Sequence, residues 1–198
     1  FESACFISSD KSRAATTLYG SMKFIGGESF IVNSEKSNVR LSTAIYGNVL
    51  NSTGSIIPLM WDAIKNNYSL KLYSPEMTRF MIETDRAIDL IEEGLNLSGY
   101  NIIPNISSFK VLDLFKIFSE LFGLKYEIGK PRISEKLHEM MFSSEESPRI
   151  KQYNDSFIMH YKDVFNESLP FDNFTSDKVM VLKKELNKIL KNHNYFKP

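Results

Sequence analysis

Residues 4–23, ACFISSDKSRAATTLYGSMK, decide the fold. Ala4–Ser8 is a short apolar run of the kind that forms a strand buried on both faces. It stops at the polar Ser9-Asp10-Lys11-Ser12. From Thr16 to about Phe30 the apolar residues Leu18, Met22, Ile25 and Phe30 recur at mostly helical spacing, behind a threonine available as N-cap. The reading is strand, loop, helix. Downstream, VRLSTAIYGNV carries a second strand ending near Tyr46, GNVLNSTGS is a loop, and IIPLMWDAIKNN is a helix. Repetition of that unit is the grammar of a parallel sheet.

The alternation continues outward. SLKLYS is a short strand, ETDRAIDLIEEGL a helix capped near Thr84, and YNIIPNI another strand. SSFKVLDLFKIFSELFG is a strongly amphipathic helix ended by Gly123. Beyond it the pattern changes: KYEIG predicts a strand, SEKLHEMM a short helix, and RIKQYNDSFIMHY two extended runs about a turn at Asn154-Asp155. From Thr175, TSDKVMVLKKELNKILKNH predicts a capped terminal helix, basic toward its end.

Composition narrows the function classes. At 198 residues and 42% hydrophobic, the chain can bury a real core. Twenty-four basic residues offset twenty-four acidic ones, so no global field draws nucleic acid or an anionic membrane, and an anionic ligand must be held by local groups. A single cysteine, Cys5, excludes an internal disulfide framework. No apolar run approaches the roughly 20 residues of a spanning helix. His138 and Glu139 invite a metal reading, yet no second ligand pair stands at zinc-site spacing, so no metal is expected.

Chemistry concentrates in the opening loop. Tyr19 and Lys23 are four apart on the predicted helix, so phenol and ammonium share a face. An ammonium there favours the phenolate, which can take a proton from a substrate hydroxyl. Ser9, Asp10 and Lys11 end the preceding strand, where α/β proteins assemble their sites.

FISSDKSRAATTLYGSMK resembles the active-site segment of the extended short-chain dehydrogenase/reductases, specifically the nucleotide-sugar 4,6-dehydratases, with Asp-Lys followed nine residues after the aspartate by Tyr-x-x-x-Lys. YGNVLNSTGSIIPL, PEMTRF and SEKLHEMM resemble further blocks in family order, so the resemblance covers nearly the whole chain. It implies an α/β fold: the C-terminal part of a Rossmann-like doubly wound parallel sheet plus a small α+β substrate-binding subdomain. Residues 1–50 would be the second half of the NAD(P)-binding domain with the catalytic segment. Residues 51–198 would mix the sugar-nucleotide-binding subdomain, remaining Rossmann elements and a C-terminal helix. Complete members open with a glycine-rich βαβ unit, whereas Gly26-Gly27 lie inside the predicted helix. The expectation is therefore a chain lacking on the order of a hundred upstream residues, and binding NAD poorly by itself.

The resemblance also implies roles. Tyr19 would deprotonate the sugar 4-hydroxyl, Lys23 would hold the ribose and tune Tyr19, Lys11 would remove the C5 proton, and protonated Asp10 would serve the departing 6-hydroxyl. Ser9 would bond the reacting hydroxyl or Tyr19. Tyr46 and Gly47 would join Tyr19 and Lys23 at the cofactor, NAD or NADP. Asn48, Ser55, Arg79, Arg132 and Glu135 would bind the UDP-sugar, the arginines on the diphosphate or uridine. Lysine after the aspartate, with tyrosine present, resembles the type that inverts C5. A homo-oligomer with the Tyr19 helix near its interface, a cytoplasmic location, and neither nucleic-acid nor membrane contact complete the expectation.

Ile45 and Thr53 stand where the family usually has arginine, Asn51 and Ser134 where it has glycine. These departures bear on the sugar more than on the reaction. Within the enzyme class the rivals are a 4-epimerase or a retaining dehydratase; outside it, a non-catalytic sugar-nucleotide-binding remnant.

Overall fold

A computed structural model describes residues 1–131 and 133–197. In chain order the elements are β1 (Ser3–Ser9), α1 (Leu18–Val32), β2 (Arg40–Tyr46), β3 (Asn48–Val49), α2 (Ile56–Lys65), β4 (Leu70–Leu72), β5 (Thr78–Ile82), α3 (Thr84–Leu95), β6 (Tyr100–Pro104), β7 (Ser108–Lys110), α4 (Val111–Phe122), β8 (Tyr126–Ile128), β9 (Met140–Phe142), β10 (Ile150–Tyr153), β11 (Ser156–His160), β12 (Phe174–Thr175) and α5 (Lys183–Asn192). They form two compact units. One is made of residues 1–47, 83–106 and 139–175; the other of 48–82, 107–138 and 176–198.

The first unit is built on a five-stranded sheet of order β1-β2-β6-β11-β10. β1, β2 and β6 are parallel, while the hairpin β10–β11 adds antiparallel strands. Two neighbouring residues of β2 show why helices cover both faces. Ser42 donates its hydroxyl to the Gly94 carbonyl of α3, and Thr43 donates to the Gly27 carbonyl of α1. Consecutive strand side chains point to opposite faces, so α1 and α3 sit on opposite sides of the sheet. Glycine permits both approaches: a Cβ on Gly27 would lie 3.0 Å from Thr43 Cγ2, and one on Gly94 would lie 3.0 Å from Cys5 Sγ. Ala44, Leu90, Leu97, Ile102 and Ile158 form the apolar core on the α3 side.

The second unit joins the three-stranded sheet β3-β5-β7 and the parallel pair β4-β8 to α2, α4 and α5. Its core gathers Ile57 and Met60 from α2, Leu114, Phe115 and Phe118 from α4, and Leu186 and Leu190 from α5. α4 ends where Gly123 takes a left-handed conformation, φ 71°.

Several sequence expectations need correction. SEKLHEMM is not a helix: its described residues are turns that lead into β9, and the Leu137 carbonyl accepts the Thr78 amide of β5. The apolar spacing that suggested a helix buries only its end, because Ile133 and Leu137 are exposed while Met141 packs inside. The terminal helix begins at Lys183 rather than Thr175, since Thr175 pairs with Met140 and the Glu185 carboxylate accepts the Leu182 amide at the true start. β5 was not foreseen, because five wholly buried residues show no alternation. On α1, Leu18, Met22 and Ile25 are 78%, 64% and 63% exposed, and Gly20, Gly27 and Ile31 face the sheet instead.

Candidate active site

β1 delivers Ser9, Asp10 and Lys11 at its carboxyl end, and β2 delivers Tyr46 and Gly47 one strand away, with Ser9 opposite Tyr46 in register. Ser9 caps the short 3-10 turn Asp10–Ser12, its Oγ accepting the Lys11 amide at 3.3 Å and donating to Asp10 Oδ1 at 2.9 Å. Its hydroxyl is thus engaged with Asp10 rather than with Tyr19. Lys11 Nζ donates to the same Oδ1 at 3.0 Å.

Asp10 is 0% exposed, and its Oδ2 has no hydrogen-bond partner among the described residues. Burial pushes its carboxyl up from the ordinary range. Lys11 draws it back, the nearby Glu139 pushes it up again, and the net shift is upward. A carboxyl raised in this direction is the kind that serves as a proton donor.

α1 contributes the second pair. Thr17 caps it by accepting the Gly20 amide at 3.2 Å. Gly20 is needed for close approach, since a Cβ there would lie 2.2 Å from the Lys11 carbonyl oxygen. Tyr19 is 54% exposed, and Lys23 Nζ lies 5.9 Å from its ring centre while donating to the Ile7 carbonyl at 2.8 Å. Tyr46 is a neutral phenol, pushed up by burial and then by neighbouring Cys5 and Tyr19.

Glu139 is the residue that sequence reasoning passed over. It is 3% exposed, with Oε1 3.9 Å from Lys11 Nζ, in the first unit beside Asp10. Sequence reasoning weighed it only as a metal ligand. Its signal was the Glu-Lys-Leu-His-Glu block, which it ends. Among the described residues no group of three or more His, Cys, Asp or Glu is placed to hold a metal.

The second unit brings Asn48, Arg79 and Glu135 onto one cleft of about 340 Å³, walled by Leu59, Leu70, Tyr73, Phe109 and Phe115 among others. An apolar wall with a few convergent polar groups is the usual make-up of a small-molecule site. Arg79 is committed: Nη2 pairs with Glu135 Oε1 at 2.6 Å, and Nη1 donates to the carbonyls of Thr78 at 2.7 Å and Leu137 at 3.2 Å. Asn48 Oδ1 and Ser55 Oγ are buried with no hydrogen-bond partner among the described residues. Ser55 precedes α2 without capping it. Arg132 lies outside the described residues. A second depression of about 410 Å³, lined by α4 and α5, carries none of these groups.

The family described as polysaccharide biosynthesis protein matches residues 1–161. The chain belongs to that family. One relative is an uncharacterized membrane protein of Methanocaldococcus jannaschii, 29% identical over 96% of this chain and 61% of its own length. The inverting UDP-N-acetylglucosamine 4,6-dehydratase of Campylobacter jejuni is 30% identical over 77% of this chain and 47% of its own. A shorter match, 36% identical over 51% of this chain and 31% of its own length, reaches a UDP-glucose 4-epimerase of Rickettsia felis. This chain therefore spans about half the length of the curated relatives it matches. Among solved structures, Pen from Bacillus thuringiensis superposes with a TM-score of 0.84 at 23% identity, over 98% of this chain and 64% of that one. Another, MoeE5 solved in complex with UDP-glucuronic acid and NAD, superposes at 0.55 and 15% identity over 68% of this chain and 53% of that one. The fold is that of the Rossmann-type family proteins. No described helix is long and apolar enough to cross a membrane.

Proposed function

We propose that the full-length protein is an NAD(P)-dependent 4,6-dehydratase of a UDP-N-acetylhexosamine, UDP-N-acetylglucosamine first among them, inverting C5 and serving glycan or polysaccharide synthesis. The observation that carries this is Asp10, a fully buried carboxyl held up in its proton affinity and in contact with Lys11 at the end of a parallel strand. A 4-epimerase has to move only the 4-hydroxyl proton. Asp10 and Lys11 supply a second acid-base pair, which loss of water requires.

Tyr19 accepts the proton of the sugar 4-hydroxyl, with the Lys23 ammonium beside its ring. Lys23 spends one N–H on Ile7, and among the described residues its other two have no hydrogen-bond partner, a donor set that fits a ribose diol. Lys23, Tyr19, Tyr46 and Gly47 are accordingly the residues that would hold NAD or NADP. When bound, that cofactor would supply reversible hydride exchange, oxidation at C4 and reduction at C6 of the same sugar, with C5 reprotonated from the opposite face. With a ketone at C4, Lys11 takes the C5 proton. The C5–H electron pair forms the C5=C6 bond, the C6–O bond breaks, and Asp10 protonates the departing oxygen so that water leaves.

In the second unit, Asn48, Ser55, Arg79 and Glu135 are assigned to the nucleotide, together with Arg132. An Arg79 already paired with Glu135 suits uridine or a hydroxyl better than it suits a bare diphosphate. The exposed apolar stripe of α1 supports a homo-oligomer with that helix at its interface. A UDP-sugar substrate goes with a cytoplasmic location. The Rickettsia relative keeps a 4-epimerase as the second reading. The two separate on the product. Full-length protein given UDP-N-acetylglucosamine and NAD or NADP is expected to yield a 4-keto-6-deoxy sugar nucleotide, whereas the 4-epimer alone would favour the second reading.

A further inference from the structure

Arg13 has no part in the chemistry above, yet it is only 4% exposed. Its amide closes the turn that carries Asp10 and Lys11, donating to the Asp10 carbonyl at 3.0 Å. Its guanidinium reaches two further segments. Nη1 donates to Glu146 Oε1 at 2.8 Å, Nη2 lies 3.6 Å from Glu28 Oε1 of α1, and the guanidinium stands 5.8 Å from the Phe24 ring centre on the same helix. Both carboxylates are anchored in turn. Glu146 Oε2 accepts the Ser143 amide at 3.0 Å, immediately after β9, and Arg149 Nη2 lies 3.8 Å from Glu146 Oε1. Arg149 Nη1 donates to the Tyr161 carbonyl at 3.0 Å. Glu28 Oε1 accepts the Asn101 side-chain amide of β6 at 3.2 Å.

Taking a guanidinium out of water is costly, so an ion pair at this depth returns little net stability, whereas its planar fork fixes the groups it joins. The chain beside it needs such a hold. Ala14, the next residue, has φ 45°, in the left-handed region that a side chain disfavours, and a residue so strained persists only where its surroundings over-determine it. Two side-chain bonds of the turn are local: Ser9 Oγ accepts the Lys11 amide, and Ser12 Oγ donates to the Ser9 carbonyl at 2.6 Å. They shape the turn without tying it to another element. We propose that Arg13 is a positioning residue for Asp10 and Lys11: its fork, gripped by Glu146 and Glu28, fastens their turn to α1 and to the segment leaving β9. The inference rests on the roles given to Asp10 and Lys11 above. A turn held this way keeps the Asp10 carboxyl out of water, and burial is the largest cause of its raised proton affinity. A loosened turn admits water to Asp10 and leaves Lys11 less well aimed.

The test uses full-length protein carrying carboxyl-labelled aspartate, with the Asp10 resonance assigned by its loss in Asp10→Asn. Wild type, Arg13→Met and Arg13→Lys are compared by thermal melting, by Asp10 titration in NMR, and by kcat and KM for dehydration of UDP-N-acetylglucosamine. In Arg13→Met the Asp10 midpoint is expected to fall toward the ordinary carboxylate range as water reaches it. Loss of a cation by itself would move the midpoint up, so the sign identifies the cause. Alongside, kcat should fall about ten- to a hundredfold with KM held within about twofold, as misplacement of reacting groups does. Arg13→Lys keeps the charge but not the fork, should show part of both effects, and decides the matter if Arg13→Met does not fold. An Asp10 midpoint unchanged or raised in the folded variants, whatever their melting temperature, would overturn the proposal. If the midpoint falls in a protein that dehydrates no UDP-sugar, the positioning role stands and the proposed function falls. If the protein dehydrates and the midpoint does not fall, only the positioning role is lost.

Discussion

Two of the buried charge clusters among the described residues, one in each unit, are built differently. In the second unit Arg79 pairs through Nη2 with Glu135 and donates from Nη1 to the Thr78 and Leu137 carbonyls. In the first unit Lys11 meets two carboxylates, and one oxygen of Asp10 has no hydrogen-bond partner among the described residues. A matched cluster orders its surroundings. An unmatched one, with a carboxyl raised by burial, is the arrangement that acid-base chemistry uses.

Substitutions separate the two kinds. The largest effect is expected for Lys11→Ala, where dehydration by the full-length protein should drop ~10²–10⁴-fold, the usual worth of a general acid-base group. Steady-state turnover checks it, and an enzyme that kept most of its activity would be an epimerase. Gly20→Ala comes next. Its new Cβ would meet the Lys11 backbone oxygen, which has no flexible end to yield, so a loss of about 1–3 kcal/mol is expected in denaturant unfolding. Tyr19 and the Asp10 turn should shift with it.

These two positions also show how much could be read in advance. β1, α1 and β2 follow from apolar runs and helical spacing, and the Asp10, Lys11, Tyr19, Lys23 set lies on them within fourteen residues of one another, so local sequence places it. Glu139 could not be placed that way. It reaches the site only because β9 returns to the first unit after a long excursion through the second, and spacing says nothing about such returns. SEKLHEMM failed for a related reason: its backbone bonds go to distant β5 and β12, and tertiary pairing outweighed local propensity. The α1 stripe misled differently. Helical spacing was right, but the face against the sheet is the glycine face, where close backbone approach replaces side-chain packing.

In the matched cluster, Arg79→Ala strips Glu135 and two carbonyls of their donor. A stability loss of about 1–3 kcal/mol is expected, with KM for the UDP-sugar rising more than kcat falls. Glu135→Gln keeps a neutral acceptor and should cost less. The smallest effect is on the unmatched side and has the opposite sign. Because Asp10 binds its proton more tightly when folded than unfolded, its contribution to stability is complete below the ordinary carboxylate range and is lost as pH rises through the raised folded value. Asp10→Asn should therefore raise Tm by a few degrees at about pH 8, with no gain near pH 3. Thermal melts at the two pH values check it.

The most direct measurement is turnover of UDP-N-acetylglucosamine by the full-length protein in heavy water, read by NMR of the product. A 4-keto-6-deoxy sugar nucleotide carrying solvent deuterium at an inverted C5, and lost in Lys11→Ala, is the result this account predicts. Sugar that keeps its 6-hydroxyl and its C5 proton would contradict it.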